Sequence, residues 1–364
     1  MQAGGGFCSS VACIPLPHPV LPMAQAGGGL SPVLCASDPI PSISFPTLVL
    51  AVAMTTLFVL KLAAFVQRNR SGLLAVSCAG IFGANIFYHA FPQQTFRTVY
   101  QCWSRGQPAE LPEQLRSLFW EVLRDTDVRS AGNVQAFAAF GFQPVSAGIP
   151  WLPSGSLVGI PANFANATDD GQGVVNRVVM INGEEVDWHS EDGVHLKEAL
   201  TLSKEAQKFS LAREVIYSQS SSPILQAAVA PTCLLGVSLS AVAVKQLLGL
   251  YSSPLLLRGL YNLAALVVGL VGYFLAYDAV SHWLDYRCDR RTAALSEDYA
   301  RGGVEFYEKL LFRNRTLRKL MGKRGEEMYA PSGNLFPRYG FRLKQAPYTS
   351  RRDLIVKVLK LHQA

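Results

Sequence analysis

Charge is scarce in this chain. Of its 364 residues, 16% are Asp, Glu, Lys or Arg, while 49% are hydrophobic. With a mean hydropathy of +0.20, the composition is too apolar for an ordinary soluble domain and too polar for a bundle of spans throughout. Acidic residues are scarcer still near the N-terminus. Asp38 is the only one before Glu110, whereas Lys61, Arg68, Arg70, Arg97 and Arg105 are present. An acid-poor, Arg-containing N-terminal region matches the composition of mitochondrial import segments.

Several signatures of chemistry are missing. The seven cysteines (Cys8, Cys13, Cys35, Cys78, Cys102, Cys233 and Cys288) form no C-x-x-C or regularly spaced pair. That pattern argues against a disulfide framework and against a thiol-based copper or zinc site. No G-x-S-x-G elbow occurs. Gly302-Gly303 lacks the following Lys-Ser/Thr and the preceding strand of a phosphate loop, so it reads as a break between two helices. No long apolar run carries an internal charge pair, which excludes a pump or transporter. Nothing in the sequence calls for a cofactor. The six histidines are assigned to the surface. Residues 301–364 hold 15 Lys/Arg against 5 Asp/Glu, a net +10 that leaves −3 for the rest of the chain. A basic tail of this kind suits an acidic partner or anionic headgroups. It lacks the aromatic or helix-in-groove organisation of a nucleic-acid binder.

What the chain does have is long uncharged runs. Residues 215–244 and 259–277 lie close together, bracketed by Lys245, Arg258 and Asp278. Each supplies the ~20 apolar residues of a spanning helix, and two spans joined tightly form a membrane hairpin. Residues 71–96 read as a further span, at about 73–91. Residues 39–60 hold a shorter apolar core, either a span or a signal-like segment. Because a hairpin returns the chain to the side it left, the segments before and after it share one compartment and can build one domain. The resulting expectation is an α-rich membrane protein with about three transmembrane helices, one N-terminal and then a hairpin, plus a mixed α/β soluble domain. Its divisions fall at 1–60 (an atypical extension), 61–91 (basic flank and first span), 92–223 (soluble α/β part), 224–278 (hairpin) and 279–364 (helical part and basic tail). By the positive-inside rule, Arg68, Arg70 and the Lys245/Arg258 loop lie on one side and the soluble domain on the other.

Within the soluble part, LPEQLRSLFWEVLRDTDV carries a helical stripe at Leu115, Leu118, Phe119, Val122 and Leu123. Residues 141–188 read as strands and turns, with an Asn182-Gly183 hairpin cue after a β-run. One long helix is expected over about 190–218, with Leu200, Leu202, Ala206, Phe209, Ala212 and Val215 on its buried face. The tail ends in a short basic amphipathic helix. Sequons at Asn69, Asn166 and Asn314 would matter only in the secretory pathway.

A hairpin inserted between two polar helices resembles membrane zinc metallopeptidases of the CaaX-prenyl-protease type. There an H-E-x-x-H helix precedes the spans and a ligand Glu follows them. H-E-x-x-H sets two imidazoles on one helical face, with the Glu as general base. Here the corresponding stretch is Arg213-Glu214-Val215-Ile216-Tyr217, and Asp285 and Asp289 have the spacing of the element after the spans. Arg and Tyr at the imidazole positions rule out a working zinc site. Arg213, Glu214, Tyr217, Asp285 and Asp289 are therefore vestigial peptidase positions on a degenerate metallopeptidase-like fold, or an accidental match in a polar network.

A denser resemblance runs from about residue 62 to the C-terminus. The segments AAFVQRNRSGLL, FQPVSAGIPWLPSGSLVGIP, LTLSKEAQKFSLAREVIY, DRRTAALSEDYARGGVEFYEKLL and YAPSGNLFPR closely resemble the transmembrane protein 177 family. That resemblance implies a multi-pass protein of the mitochondrial inner membrane, with its soluble domain in the intermembrane space. It implies a non-enzymatic factor in the biogenesis of cytochrome c oxidase subunit II. The implied partners are subunit II, its inner-membrane chaperone and copper-delivery assembly factors, besides the lipid bilayer. No catalytic residues carry over. On this reading Gly236, Ser240, Gly269 and Gly272 contact partner spans. Gly302, Gly303, Glu305, Phe306, Tyr307, Arg338 and Arg342 form the candidate partner surface.

Overall fold

The computed structural model describes residues 54, 57–58, 61–62, 64–104, 106–128, 130–164, 180–181, 183–337 and 342–363. Most of the N-terminal extension and of the 39–60 run, the β-run before Met180, Asn166 and Arg338 lie outside them. The chain divides into two compact units at Cys78, inside the first long helix.

Among the described residues, three helices are long and apolar enough to cross a membrane. The first, α1 (Arg70–Ala90), buries none of its side chains. The hairpin comprises α6 (Ser222–Leu247) and α7 (Leu255–Ala293). Gly269 of α7 lets the two approach closely, since a Cβ there would stand 2.7 Å from Val237 Cγ2. At 39 residues, α7 is about 58 Å long, nearly twice the ~30 Å of a bilayer core. The boundary expected at residue 278 is therefore not a helix end. Neither Gly nor Pro interrupts the chain between Tyr273 and Ala293, so one rigid rod leaves the membrane and enters the folded part.

Between α1 and the hairpin lie a short helix α2 (Phe96–Tyr100), the β1–β2 ribbon (Trp103–Ser104, Gln107–Pro108) and α3 (Glu113–Asp125). All five residues of the sequence stripe on α3 are buried. A three-stranded sheet follows, in the order β3-β5-β4. Strand β3 (Val134–Ala139) runs parallel to β5 (Ser156–Pro161), and β4 (Val145–Gly148) runs antiparallel to it. Strand β5 is central and buried along its whole length. β3 lies ahead of the 141–188 stretch read as strands and turns, because its partner lies about 20 residues further on and local pattern does not report it. A two-residue ribbon, β6 (Met180–Ile181) with β7 (Glu184–Glu185), flanks Gly183 at φ +87°.

The single helix expected over 190–218 is two: α4 (Glu191–Leu200) and α5 (Lys204–Gln219). Ser190 and Ser203 cap them, each hydroxyl accepting a backbone N–H three residues on. Glu305 fixes the break by accepting from both the backbone N–H (2.9 Å) and the hydroxyl (2.6 Å) of Ser203. The residues assigned to the buried face remain buried on both helices.

Helix α8 (Glu297–Leu320) contains Gly302 and Gly303 in its interior, so the break expected there does not exist. The chain breaks earlier, at residues 294–296, where Ser296 caps α8. The glycines serve close packing. A Cβ on Gly302 would stand 2.3 Å from the Glu205 carbonyl oxygen, and one on Gly303 would stand 2.6 Å from the Phe209 ring. Helix α9 (Lys323–Met328) and the basic α10 (Tyr348–His362) complete the fold. α10 docks with Tyr348, Arg351 and Ile355 buried. The main core joins α3, the sheet, α5, α8 and α10 through Phe119, Val158, Phe209, Tyr307 and Ile355.

Candidate functional site

The most concentrated polar chemistry lies where α5, α7, α8 and α10 meet. Arg213, on α5, donates from Nε to Asp289 Oδ1 (3.0 Å), from Nη2 to Asp285 Oδ1 (2.6 Å) and from Nη1 to Glu214. Arg351, on α10, grips Asp289 with two bonds, Nε to Oδ2 at 2.6 Å and Nη2 to Oδ1 at 2.9 Å. Its Nη1 lies 3.5 Å from Asp285 Oδ1. The Tyr307 hydroxyl donates to Asp289 Oδ1 (2.9 Å), and the Arg351 guanidinium lies 4.9 Å from the Tyr307 ring centre. Ser146, on β4, donates to Glu214 Oε2 (2.6 Å). Asp289 has no exposed surface and receives four donors, which is what a buried carboxylate requires.

Burial alone would ease deprotonation of the two guanidinium groups, yet their neighbours reverse it. Tyr307, Glu214, Asp289 and Asp285 hold Arg213 well above the ordinary arginine range. Asp285, Asp289 and Tyr307 do the same for Arg351. Burial pushes the Tyr307 phenol far up. Burial also raises Tyr217, and Tyr277, Glu214, Asp285 and Cys288 add to the effect. Both phenols stay protonated, and Tyr307 donates to Asp289.

Four of the five positions singled out by the peptidase-like spacing, Arg213, Glu214, Asp285 and Asp289, thus meet at one point, and Tyr217 lies one helical turn along α5 from Arg213. Sequence reasoning missed Ser146 and Arg351, and placed Tyr307 elsewhere. Arg351 left one readable trace: an Arg on the apolar face of α10, three residues after Tyr348 and four before Ile355.

The candidate partner surface needs correction. Gly302, Gly303, Phe306 and Tyr307 are buried in the core against α5, and Glu305 is occupied by Ser203. Arg342 turns inward too. It pairs with Asp278 at 3.3 Å and lies 4.4 Å from the Phe274 ring centre. Asp278, at the end of the second apolar run, is 6% exposed. Arg338 lies outside the described residues. His89 and His282 also depart from a surface role, whereas His189 and His362 are exposed. His89 Nδ1 accepts the Gly148 N–H (3.3 Å), and His282 Nε2 donates to the Leu343 carbonyl (2.7 Å). Asn314 is fully buried and donates to the Gly333 carbonyl, which closes that sequon in the folded chain.

The family model for Transmembrane protein 177 matches residues 162–337. A Xenopus laevis protein of that name is 59% identical over 306 residues, covering 84% of this chain and 99% of the relative. The Danio rerio protein is 56% identical over 301 residues (83% and 97%). The human protein is 51% identical over 300 residues (82% and 95%). The chain belongs to the transmembrane protein 177 family. No solved structure matches it. It is an α-rich membrane protein with three candidate spans and a mixed α/β part. The family-model match includes four arms of the ion cluster, Arg213, Glu214, Asp285 and Asp289, and ends before Arg351.

A second polar feature is a cleft of about 480 Å³ lined by Glu121, Asp125, Lys204, Lys208 and Tyr299 among others. Lys208 bonds Glu121 (2.9 Å) and Asp125 (3.0 Å) and lies 5.3 Å from the Tyr299 ring centre. Burial works against the Lys208 charge, but the two carboxylates outweigh it and raise its pKa. Hydrogen bonds from Lys208 and Lys204 lower Glu121. These ties hold α3 to α5 and α8.

Proposed function

We propose that this chain is a non-enzymatic assembly and stability factor of the mitochondrial inner membrane, acting on newly made cytochrome c oxidase subunit II together with its membrane chaperone. The observation that supports partner binding within the bilayer is the open face of the hairpin. A Cβ on Gly236 or Gly272 would meet nothing within 4 Å, so both helices present small residues to the lipid. Small residues let a partner helix approach closely enough for backbone contacts and van der Waals packing. Gly269 is excluded from this surface, because it packs against Val237 within the hairpin. The resemblance to transmembrane protein 177 supplies the client. On the same reading, the soluble domain faces the intermembrane space, where copper-delivery factors would meet it.

The test is a pulse-chase of mitochondrially translated proteins in cells lacking the chain, with recovery of bound partners in parallel. Faster decay of new subunit II, and its recovery with the wild-type chain, support the reading. Gly236→Leu/Gly272→Leu should weaken that recovery roughly five-fold, the effect of about 1 kcal/mol at a helix interface. Subunit II that decays normally and is absent from the bound set refutes the reading.

A further inference from the structure

In one common zinc-site layout a helix supplies ligands at i and i+4 on one face, and another element supplies the third. A carboxylate behind them then fixes the first ligand. α5 has this layout with different side chains: Arg213 and Tyr217 stand at i and i+4, and Glu214 follows the first. On the far side of the hairpin, α7 supplies Asp285 and Asp289, also four apart. In the fold the two sets converge. Asp285 meets Arg213 Nη2 and Asp289 holds Arg213 Nε from behind, with Tyr217 one helical turn beyond Arg213 on α5. Asp289 is itself fixed by Arg351 and Tyr307.

We propose that the Arg213 guanidinium is a covalent replacement for a divalent cation, so that the joint between α5 and α7 is a zinc-type site closed by arginine. Its planar fork offers three directed donors and spends one on each of the three carboxylates, where a metal ion would accept lone pairs. A fixed positive charge at that point repels Zn²⁺. Glu214, placed where a general base would stand, is held by both Arg213 and Ser146 and is not free to take a proton from water. This inference concerns the origin and chemistry of the joint and stands independently of the client assigned above.

The test uses the full chain in detergent, with Arg213→His/Tyr217→His as the variant and added Zn²⁺ as the probe. Two imidazoles and Asp285 would then make three ligands of a tetrahedral site. Metal analysis after gel filtration should find about one zinc per chain in the double variant, at least about tenfold above wild type, and lost when Asp285→Asn is added. If the double variant is unfolded as purified, circular dichroism during refolding gives the second readout. Recovery with Zn²⁺ but not Mg²⁺ supports the proposal, and equal failure with both overturns it. A folded double variant with no more zinc than wild type overturns it. So does wild-type chain that already carries stoichiometric zinc lost on Asp285→Asn.

Discussion

Replacing Arg351 with Met is the sharpest probe of the ion cluster. Arg351 supplies two of the four hydrogen bonds to Asp289, a carboxylate with no exposed surface, and a further contact to Asp285. Met preserves much of the side-chain volume, so a cavity contributes little. What remains is a buried carboxylate held by Arg213 and Tyr307 alone. Removing one partner of a buried charged pair costs about 3–5 kcal/mol, mostly because the other charge is left undercompensated. For a folded part of this size that is a fall in melting temperature of roughly 6–20 °C, read by circular dichroism in detergent. The decisive arm is a double-mutant cycle with Asp289→Asn, which removes the stranded charge. If the charge is the cause, the double variant should lie about 0.5–3 kcal/mol above the sum of the singles. An Arg351→Met shift under about 2 °C, or additive singles, would refute the reasoning.

Two further outcomes follow from packing and linkage. Gly302→Ala forces a methyl group against the Glu205 carbonyl and should cost about 1–3 kcal/mol, seen as a lower melting temperature; Gly272→Ala, with open space around it, should be near neutral. Lys208→Met should destabilise the chain at neutral pH and lose that effect in acid. In the folded state Glu121 and Asp125 lie below their ordinary pKa, and for Asp125 the bonds from Lys208 and Tyr299 do this against opposing burial. The stability they contribute is therefore present above the unfolded carboxylate range and lost as pH falls through their folded values. Melting temperatures of wild type and variant, taken from pH 7 downward, should begin to converge near the ordinary carboxylate range of about pH 4 and meet as the pH passes below the lowered folded values. A constant gap would mean that Lys208 acts through packing alone.

Some of this protein is legible one segment at a time. The three spans follow from runs of apolar residues, because the bilayer demands only length and internal hydrogen bonding. The stripe on α3 likewise predicts the five side chains that it buries. Part of the site was readable for the same local reason. Arg213 to Tyr217, and Asp285 to Asp289, are each one helical turn apart, so spacing alone places each set on one face.

Tertiary structure decided the rest, because the deciding contacts come from distant chain. Glycine disfavours a helix interior by about 1 kcal/mol, which argues for a break at Gly302-Gly303. The fold overrides it, since only a residue without a Cβ lets α8 approach the backbone of α5. The same approach turns Phe306 and Tyr307 into core instead of surface. Thr201 to Ser203 interrupt a helical pattern because Glu305, 102 residues away, receives Ser203 there. Ser146 and Arg351 reach the cluster from 68 and 62 residues away in sequence. Hydropathy and helical spacing thus determined where the chain crosses a membrane and which side chains share a face. Which charges meet in the interior depended on backbone approach and long-range pairing, which no local pattern encodes.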